Sequence, residues 1–83
     1  MAIHELKILP CYYDAVAVGD KTFEIRDNSD RGFQKGDKVI LLEVRQGALV
    51  DSYTGRSLER QITYVTGYEQ KPGWVVFGFK EVA

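Results

Sequence analysis

Apolar and polar residues alternate along most of this chain, and one short stretch near the N-terminus breaks the alternation. The first segment, Ile3–Ile8, shows the pattern clearly, because every second side chain from His4 onward lies on the same face. A period of two residues is typical of a β-strand with one face packed against a core. Between Pro10 and Gly19 the spacing is helical, with proline suited to a first turn and glycine to a left-handed end. The sequence therefore predicts one short helix, over residues 10–18, in a chain otherwise built from strands.

Further segments carry the two-residue period or a short apolar run, and each predicts a strand. They are Lys21–Asp27, Lys38–Arg45, Val50–Tyr53, Leu58–Thr66 and Trp74–Lys80. The segment 53–56, with the sequence Tyr-Thr-Gly-Arg, has the composition of a hairpin turn between two of them. We therefore expect a mainly β fold with one short helix (α+β), in which about six strands close or nearly close into a small barrel.

Length and composition restrict the chain to one small domain, residues 1–83, with a single core. The one cysteine, Cys11, cannot form an internal disulfide, which favours a reducing, cytoplasmic location. One cysteine and one histidine cannot supply four zinc ligands, and no glycine-rich phosphate loop is present, so no metal and no other cofactor is predicted. Apolar runs are short and no export signal is visible, so no membrane association is expected.

The charge balance limits the kind of partner that the chain could bind. The formal net charge is −1, and basic residues are not concentrated in either half of the sequence. Proteins that wrap many phosphates need a positive face, because the release of counterions drives that binding. If nucleic acid is the partner, we expect contacts from a few placed groups and not from a broad basic surface.

The densest group of polar residues lies in the predicted strand Lys21–Asp27. The two-residue period puts Thr22, Glu24 and Arg26 in one row, with about 7 Å between neighbours. A carboxylate between a hydroxyl and a guanidinium could form a hydrogen-bonding platform for a ligand. The same pattern is also typical of a solvent-exposed face with a weak ion pair, and spacing alone favours this second interpretation.

Other candidate residues have an ordinary structural explanation beside a functional one. His4 lies on the apolar face of its strand, which favours a buried histidine satisfied by a backbone group over a catalytic base for a serine. Four aromatic residues could stack on bases, although packing is the commoner role in a small domain; they are Tyr53, Tyr64, Tyr68 and Trp74. Cys11, near the start of the helix, is assigned to packing.

Several strings of residues together resemble a known family nearly from end to end. They are residues 4–10 (HELKILP), the G-x-K-x-x-E-x-R string from Gly19 to Arg26, Gly36-Asp37, residues 53–56 (YTGR) and Gly67-Tyr68. The chain resembles a small bacterial and phage family of unknown function, grouped with the ASCH (activating signal cointegrator homology) domains of the PUA-like superfamily. The resemblance implies a PUA-like β-barrel with a helix beside a cleft that binds RNA or nucleotides.

The resemblance also implies which residues form that cleft. By position in the G-x-K-x-x-E-x-R string, Lys21, Glu24 and Arg26 would line it. The following loop, with Asn28, Arg31 and Phe33, would form its rim. The predicted ligand-binding set consists of Lys21, Thr22, Glu24, Arg26, Asn28 and Arg31.

A related ASCH subgroup implies an enzymatic alternative. Members of that subgroup hydrolyse the acetyl amide of N4-acetylcytidine with a threonine, a lysine and a glutamate. The lysine matches Lys21, but Glu24 stands where the threonine nucleophile would be, and Thr22 lies one strand step away. If this chain is an enzyme, its candidate catalytic residues are therefore Lys21, Glu24 and Thr22, with the carboxylate acting as a general base on water.

Three functions therefore remain open at the level of sequence. The preferred hypothesis is a module that binds RNA, a nucleotide or a nucleoside in a small polar cleft. The alternatives are an amidohydrolase for a modified nucleoside and a protein-interaction module, and Glu24 in place of threonine counts against the hydrolase. The sequence does not fix the oligomeric state, and a monomer is compatible with it.

Overall fold

The computed structural model describes residues 1–82, and it shows one short helix and five strands. The last residue of the predicted domain, Ala83, lies outside the described residues. In chain order the elements are β1 (Ile3–Ile8), α1 (Pro10–Ala17), β2 (Phe23–Asp27), β3 (Lys38–Arg45), β4 (Ser52–Thr66) and β5 (Trp74–Glu81). The predictions for β1, α1, β3 and β5 agree with these bounds to within a residue, and β2 starts two residues later than predicted.

The five strands form a single sheet in the order β1-β3-β4-β5-β2. β1 runs parallel to β3, whereas the β3–β4, β4–β5 and β5–β2 pairs are antiparallel. The first two strands of the chain, β1 and β2, therefore lie at the two edges of the sheet. A mainly β fold with one helix is confirmed, with five strands instead of six.

The sheet curls until its two edges face each other. The guanidinium of Arg26 on β2 donates to the Lys7 carbonyl on β1 at 2.8 Å, and Arg31 donates to the Glu5 carbonyl at 3.2 Å. Within residues 1–82, no backbone ladder joins these two edges. The sheet is therefore a half-barrel with an open seam between β1 and β2, which is consistent with the predicted small barrel-like fold but is not completely closed.

Helix α1 begins and ends where its sequence predicts. Pro10 occupies the first turn, where the missing N–H costs nothing. Gly19 adopts φ +86° and its N–H donates to the Val16 carbonyl at 3.1 Å, which ends the helix. Tyr13 and Val16 point into the curl of the sheet, so α1 covers one end of the core. No helix among residues 1–82 could cross a membrane, because α1 has only eight residues.

The core fills the concave face of the sheet with inward-facing residues of β1, β3, β4 and β5, together with residues of α1 and Phe33. Its buried members are Leu6, Ile8, Tyr13, Val16, Phe33, Val39, Leu41, Ile62, Phe77 and Phe79. The predicted alternation is confirmed in β1 and β5, where the inward rows are the apolar ones. Burial of this apolar surface is the main stabilising contribution to a domain of this size.

The predicted hairpin at residues 53–56 is wrong, because those residues lie inside β4. Leu42 pairs with Ser57 and Val44 with Tyr53, so three residues of β4 face the single residue Glu43. Gly55, at φ +91°, allows the extra residues to bulge without breaking the strand. The two predicted strands are therefore one, and the connection between β3 and β4 lies at residues 46–51.

A buried histidine–aspartate pair ties the N-terminus to the loop before β3. His4 Nε2 lies 2.9 Å from Asp37 Oδ2, and the imidazole packs on Phe33 at 4.7 Å between ring centroids. Asp37 also accepts hydrogen bonds from the N–H groups of Ala2 and Gln34. His4 thus has a structural place, as predicted, although its partner is a carboxylate. Burial alone raises the pKa of Asp37, but hydrogen bonds from Ala2, His4 and Gln34 outweigh it and lower the pKa below its usual range.

Asp37→Asn should destabilise the protein, because an amide cannot accept all the hydrogen bonds that the carboxylate accepts. We expect a loss of about 1–3 kcal/mol in the free energy of unfolding, the usual cost of buried groups left without partners. Urea unfolding at neutral pH measures this loss. The exposed Asp20→Asn serves as the matched control, and equal stabilities of the two variants would contradict the assignment.

Candidate functional site

A cleft of about 570 Å³ opens along the seam, between the end of β1, the start of α1 and strand β2. Its lining residues are Ile8, Leu9, Tyr12, Lys21, Phe23, Glu24, Ile25, Arg26 and Trp74. The predicted trio Lys21, Glu24 and Arg26 therefore lies together in one concave surface. We call this surface the seam cleft.

Glu24 forms the floor of the seam cleft, because strand parity turns its side chain inward. It is 3% exposed and pairs across the ladder with Phe77, in the centre of the core. Its Oε1 accepts from Arg26 Nε at 3.0 Å and Nη2 at 2.6 Å, and its Oε2 accepts from Lys21 Nζ. The solvent-face interpretation of this row is therefore wrong for Glu24. A buried carboxylate needs such partners, because desolvation of an unpaired charge is costly.

The polar groups of the cluster are not all used. An ionised carboxylate has about four acceptor positions, and three of them on Glu24 are occupied. Within residues 1–82, Arg26 Nη1 donates to no side chain or carbonyl, and Lys21 retains further N–H donors. The cluster can therefore offer one acceptor and several donors to a ligand at the floor of the cleft.

Aromatic rings surround the ammonium of Lys21. Its Nζ lies 4.5 Å from the ring centroid of Tyr12 and 5.8 Å from that of Phe23. These rings and the indole of Trp74 are partly exposed, so they present flat apolar faces beside the polar floor. A flat ligand with polar edge groups would match both kinds of surface.

The structure separates the other predicted ligand-binding residues from the seam cleft. Thr22 precedes β2, its carbonyl accepts from Phe79 N–H, and it lines a different, smaller depression. The Asn28 side chain accepts from Phe33 N–H at 2.8 Å and shapes the loop. Arg31 lines a neighbouring hollow on the far side of Arg26. The candidate site is therefore smaller than the predicted set.

The predicted stacking residues are dispersed as well. Tyr53, Tyr64 and Tyr68 are exposed, but only Trp74 of the four lines the seam cleft. Cys11 is exposed on α1 and does not pack in the core as the sequence had indicated. Among residues 1–82 no group of three or more histidine, cysteine or acidic side chains is placed to hold a metal ion.

A second buried carboxylate lies at the other side of α1. Glu43 is 3% exposed and accepts from Arg56 Nε at 2.9 Å, from Arg56 Nη2 at 2.6 Å and from the Thr54 hydroxyl at 2.6 Å. Arg56 also stacks on the ring of Tyr13, at 4.4 Å from its centroid. The hydrogen bonds from Arg56 and Thr54 lower the pKa of Glu43 to about 2, and Glu43 in turn raises the pKa of Arg56. This cluster fixes the bulge of β4 against the helix.

The sequence held signals for the residues that the predictions missed. Glu43 falls in the inward row of β3 with Val39 and Leu41, so its parity already places a carboxylate in the core. Tyr12 lies in the first turn of α1 and Phe23 is the first residue of β2, and the chain between them brings both beside Lys21. Only the turn geometry at Gly19 and Asp20 decides that proximity, and spacing alone does not reveal it.

The Glu43 cluster predicts a specific acid response. The pKa of Glu43 is about 2 in the folded protein against an ordinary value of 4.5, so the folded state favours the carboxylate. This group therefore stabilises the fold fully above about pH 4.5 and progressively less as the pH falls toward about 2. Glu43→Gln has nothing to titrate at this position, and its free energy of unfolding should fall less steeply across that window. Urea unfolding at several pH values measures both slopes.

A matched variant sharpens this acid test. Thr54→Val keeps the carboxylate and its arginine but removes one hydrogen bond that lowers the pKa. Its slope should lie between those of the wild type and Glu43→Gln. Parallel curves for all three proteins would contradict the assignment.

Comparison with known proteins adds one curated relative from a phage. The chain is 44% identical over 64 residues to an "Uncharacterized 12.9 kDa protein in GpA 3'region" of Escherichia phage P2. The match covers 77% of this chain and 54% of the relative, so the chain spans about half the length of that protein.

A family profile extends the match to almost the whole chain. It is described as a domain of unknown function, DUF3850, and it matches residues 3–79. This range contains every strand residue up to the middle of β5, helix α1 and the complete seam cleft. The chain therefore belongs to the DUF3850 family.

Proposed function

We propose that the seam cleft binds a nucleotide or an unpaired RNA base. The observation that carries this proposal is a buried carboxylate, Glu24, set between two cations at the floor of an aromatic-walled cleft. A nucleobase has a flat face for stacking and an edge of amino and carbonyl groups for hydrogen bonds. The free acceptor position of Glu24 suits an exocyclic amine, and the free donors of Arg26 and Lys21 suit ring carbonyls or a phosphate.

The charge distribution supports recognition of one unit and not of a long strand. Lys21 and Arg26 exceed Glu24 by one positive charge, while the whole chain has a net charge of −1. Few phosphates could be neutralised at once, so little affinity would come from counterion release. The affinity would depend instead on stacking and on the hydrogen bonds at the cleft floor.

The finer family assignment belongs to the same proposal. Membership of the ASCH group in the PUA-like superfamily is supported by the curled β-sheet with one early helix. It is also supported by Lys21, Glu24 and Arg26, because these three residues of the G-x-K-x-x-E-x-R string line one cleft.

Binding should depend on Lys21 and Glu24 more than on any surface charge. Lys21→Met and Glu24→Gln should each weaken binding of nucleoside monophosphates by about 1–3 kcal/mol, since each leaves a ligand group without its partner. Isothermal titration calorimetry against the four ribonucleoside monophosphates and a short unpaired RNA measures the effect.

Lys35→Met provides the matched control, because Lys35 is exposed and lies outside the seam cleft. Thermal unfolding of each variant separates lost binding from lost folding. If the wild type binds none of these ligands at millimolar concentration, or if all three variants bind equally well, the proposal fails.

The second candidate function is hydrolysis of a modified nucleoside, and the contact between Lys21 and Glu24 favours it. The position of Thr22 outside the seam cleft counts against it, because no serine or threonine hydroxyl is then among the lining residues of the site. We therefore expect purified protein to turn over N4-acetylcytidine slowly or not at all. Chromatographic assay for released acetate and cytidine tests this expectation. Robust turnover that Lys21→Met and Glu24→Gln both abolish would make the chain an enzyme.

A further inference from the structure

The open seam exposes the free edges of two strands that face each other. At one end of β2 the Thr22 carbonyl accepts from the Phe79 N–H of β5. At the other end the Asn28 N–H donates to the carbonyl of Gly73, the residue before β5. Alternation along an antiparallel strand then directs the backbone groups of Phe23, Ile25 and Asp27 toward the seam. On β1, the carbonyls of Glu5 and Lys7 point into the same space.

Side chains replace the backbone donors that a neighbouring strand would supply. Arg26 and Arg31 donate to Lys7 and Glu5, two carbonyls that are two residues apart on one edge. A β-strand laid beside β1 would present its N–H groups to these same carbonyls. The position that a sixth strand would occupy in a closed barrel is therefore bridged by two exposed or half-exposed guanidinium groups.

We propose that this seam binds an extended peptide segment of a partner protein, which pairs as an additional strand with β1 and β2. Strand addition to a free edge draws its affinity from main-chain hydrogen bonds and its specificity from pockets for alternate side chains. The seam offers both features. This inference is independent of nucleotide binding, although the two kinds of ligand would compete for the seam cleft.

Two hollows on either side of Arg26 define the side chains that such a peptide would carry. The seam cleft has apolar and aromatic walls, so it suits an apolar or aromatic side chain. The second hollow, of about 310 Å³, is lined by Asp27 and Asp30 together with Arg26 and Arg31, and the charge of Arg26 is already paired with Glu24. If a peptide N–H donates to the Glu5 carbonyl, Arg31 loses this acceptor and can turn to solvent. The carboxylates of Asp27 and Asp30 would then favour a basic side chain of the peptide. The expected motif is therefore an apolar residue with lysine or arginine two positions away.

The synthetic peptide Ac-TKTFTKT-NH2 tests this motif in either strand direction, because its lysines flank the phenylalanine symmetrically. The chain has a single tryptophan, Trp74, which lines both hollows, so its fluorescence reports binding without a label. The peptide Ac-TKFTTKT-NH2 has the same composition but places phenylalanine on the face opposite both lysines. We expect it to bind at least tenfold more weakly, and so should a copy of the first peptide N-methylated at alternate residues.

Two further measurements identify strand addition itself. Hydrogen exchange followed by NMR should show that the peptide protects the amides of Phe23 and Ile25, which face the seam. Asp30→Lys should weaken peptide binding at least tenfold, whereas Asp20→Lys, a matched exposed substitution outside both hollows, should not change it.

Each contrary result overturns the inference. Peptide binding that leaves exchange of the Ile25 amide unchanged would exclude strand addition. The same holds if the N-methylated or rearranged peptide binds as tightly, or if no peptide binds at millimolar concentration. Protection of the same amides by heptauridylate, without peptide binding, would assign the seam to nucleic acid. Nucleotide binding to the seam cleft can fail or succeed separately, since its test uses different ligands.

Discussion

The guanidinium of Arg26 connects the candidate site to the fold. Its Nε and Nη2 hold the buried carboxylate of Glu24, and the same Nη2 reaches the Lys7 carbonyl across the seam. One side chain therefore neutralises the floor of the cleft and joins the two edges of the sheet. Because a buried charge without partners would be costly, Glu24 depends on its ion pairs with Arg26 and Lys21. Arg26 therefore contributes both to the charge balance of the cleft floor and to the contact between β1 and β2.

A second constraint comes from helix α1, which lies between two ion clusters. Lys21 stacks on Tyr12 and Arg56 stacks on the next residue, Tyr13. Consecutive helical residues point about 100° apart, so adjacent tyrosines can serve clusters on different sides of one short helix. An isolated helix of this length would not be stable in water. Its position is fixed by the core residues below it and by a cation–aromatic contact on each side.

Much of the fold could be predicted from the sequence, because it follows from local patterns. The two-residue period gave β1 its bounds, and Pro10 with Gly19 gave those of α1. The hairpin prediction failed because Gly55 permits both a turn and a bulge, and only the distant Glu43 decides between them. In the site, the G-x-K-x-x-E-x-R string identified the cleft floor. Its aromatic walls depend on the path of the chain after Gly19, and no spacing rule describes that path.

The open seam follows from the order of the strands. β1 leads into the N-terminus of α1, and β2 follows its C-terminus. The two strands form opposite edges of the sheet, so the curl of the sheet brings them face to face. Direct pairing would close the barrel over the inward row of β2, and that row carries Glu24 and Arg26 and not apolar residues. The long side chains of Arg26 and Arg31 span the gap between the two edges and donate hydrogen bonds to the β1 carbonyls. The polar residues that make β2 a poor core strand are therefore the physical reason why this barrel keeps an opening, and the opening is where the proposed binding groups lie.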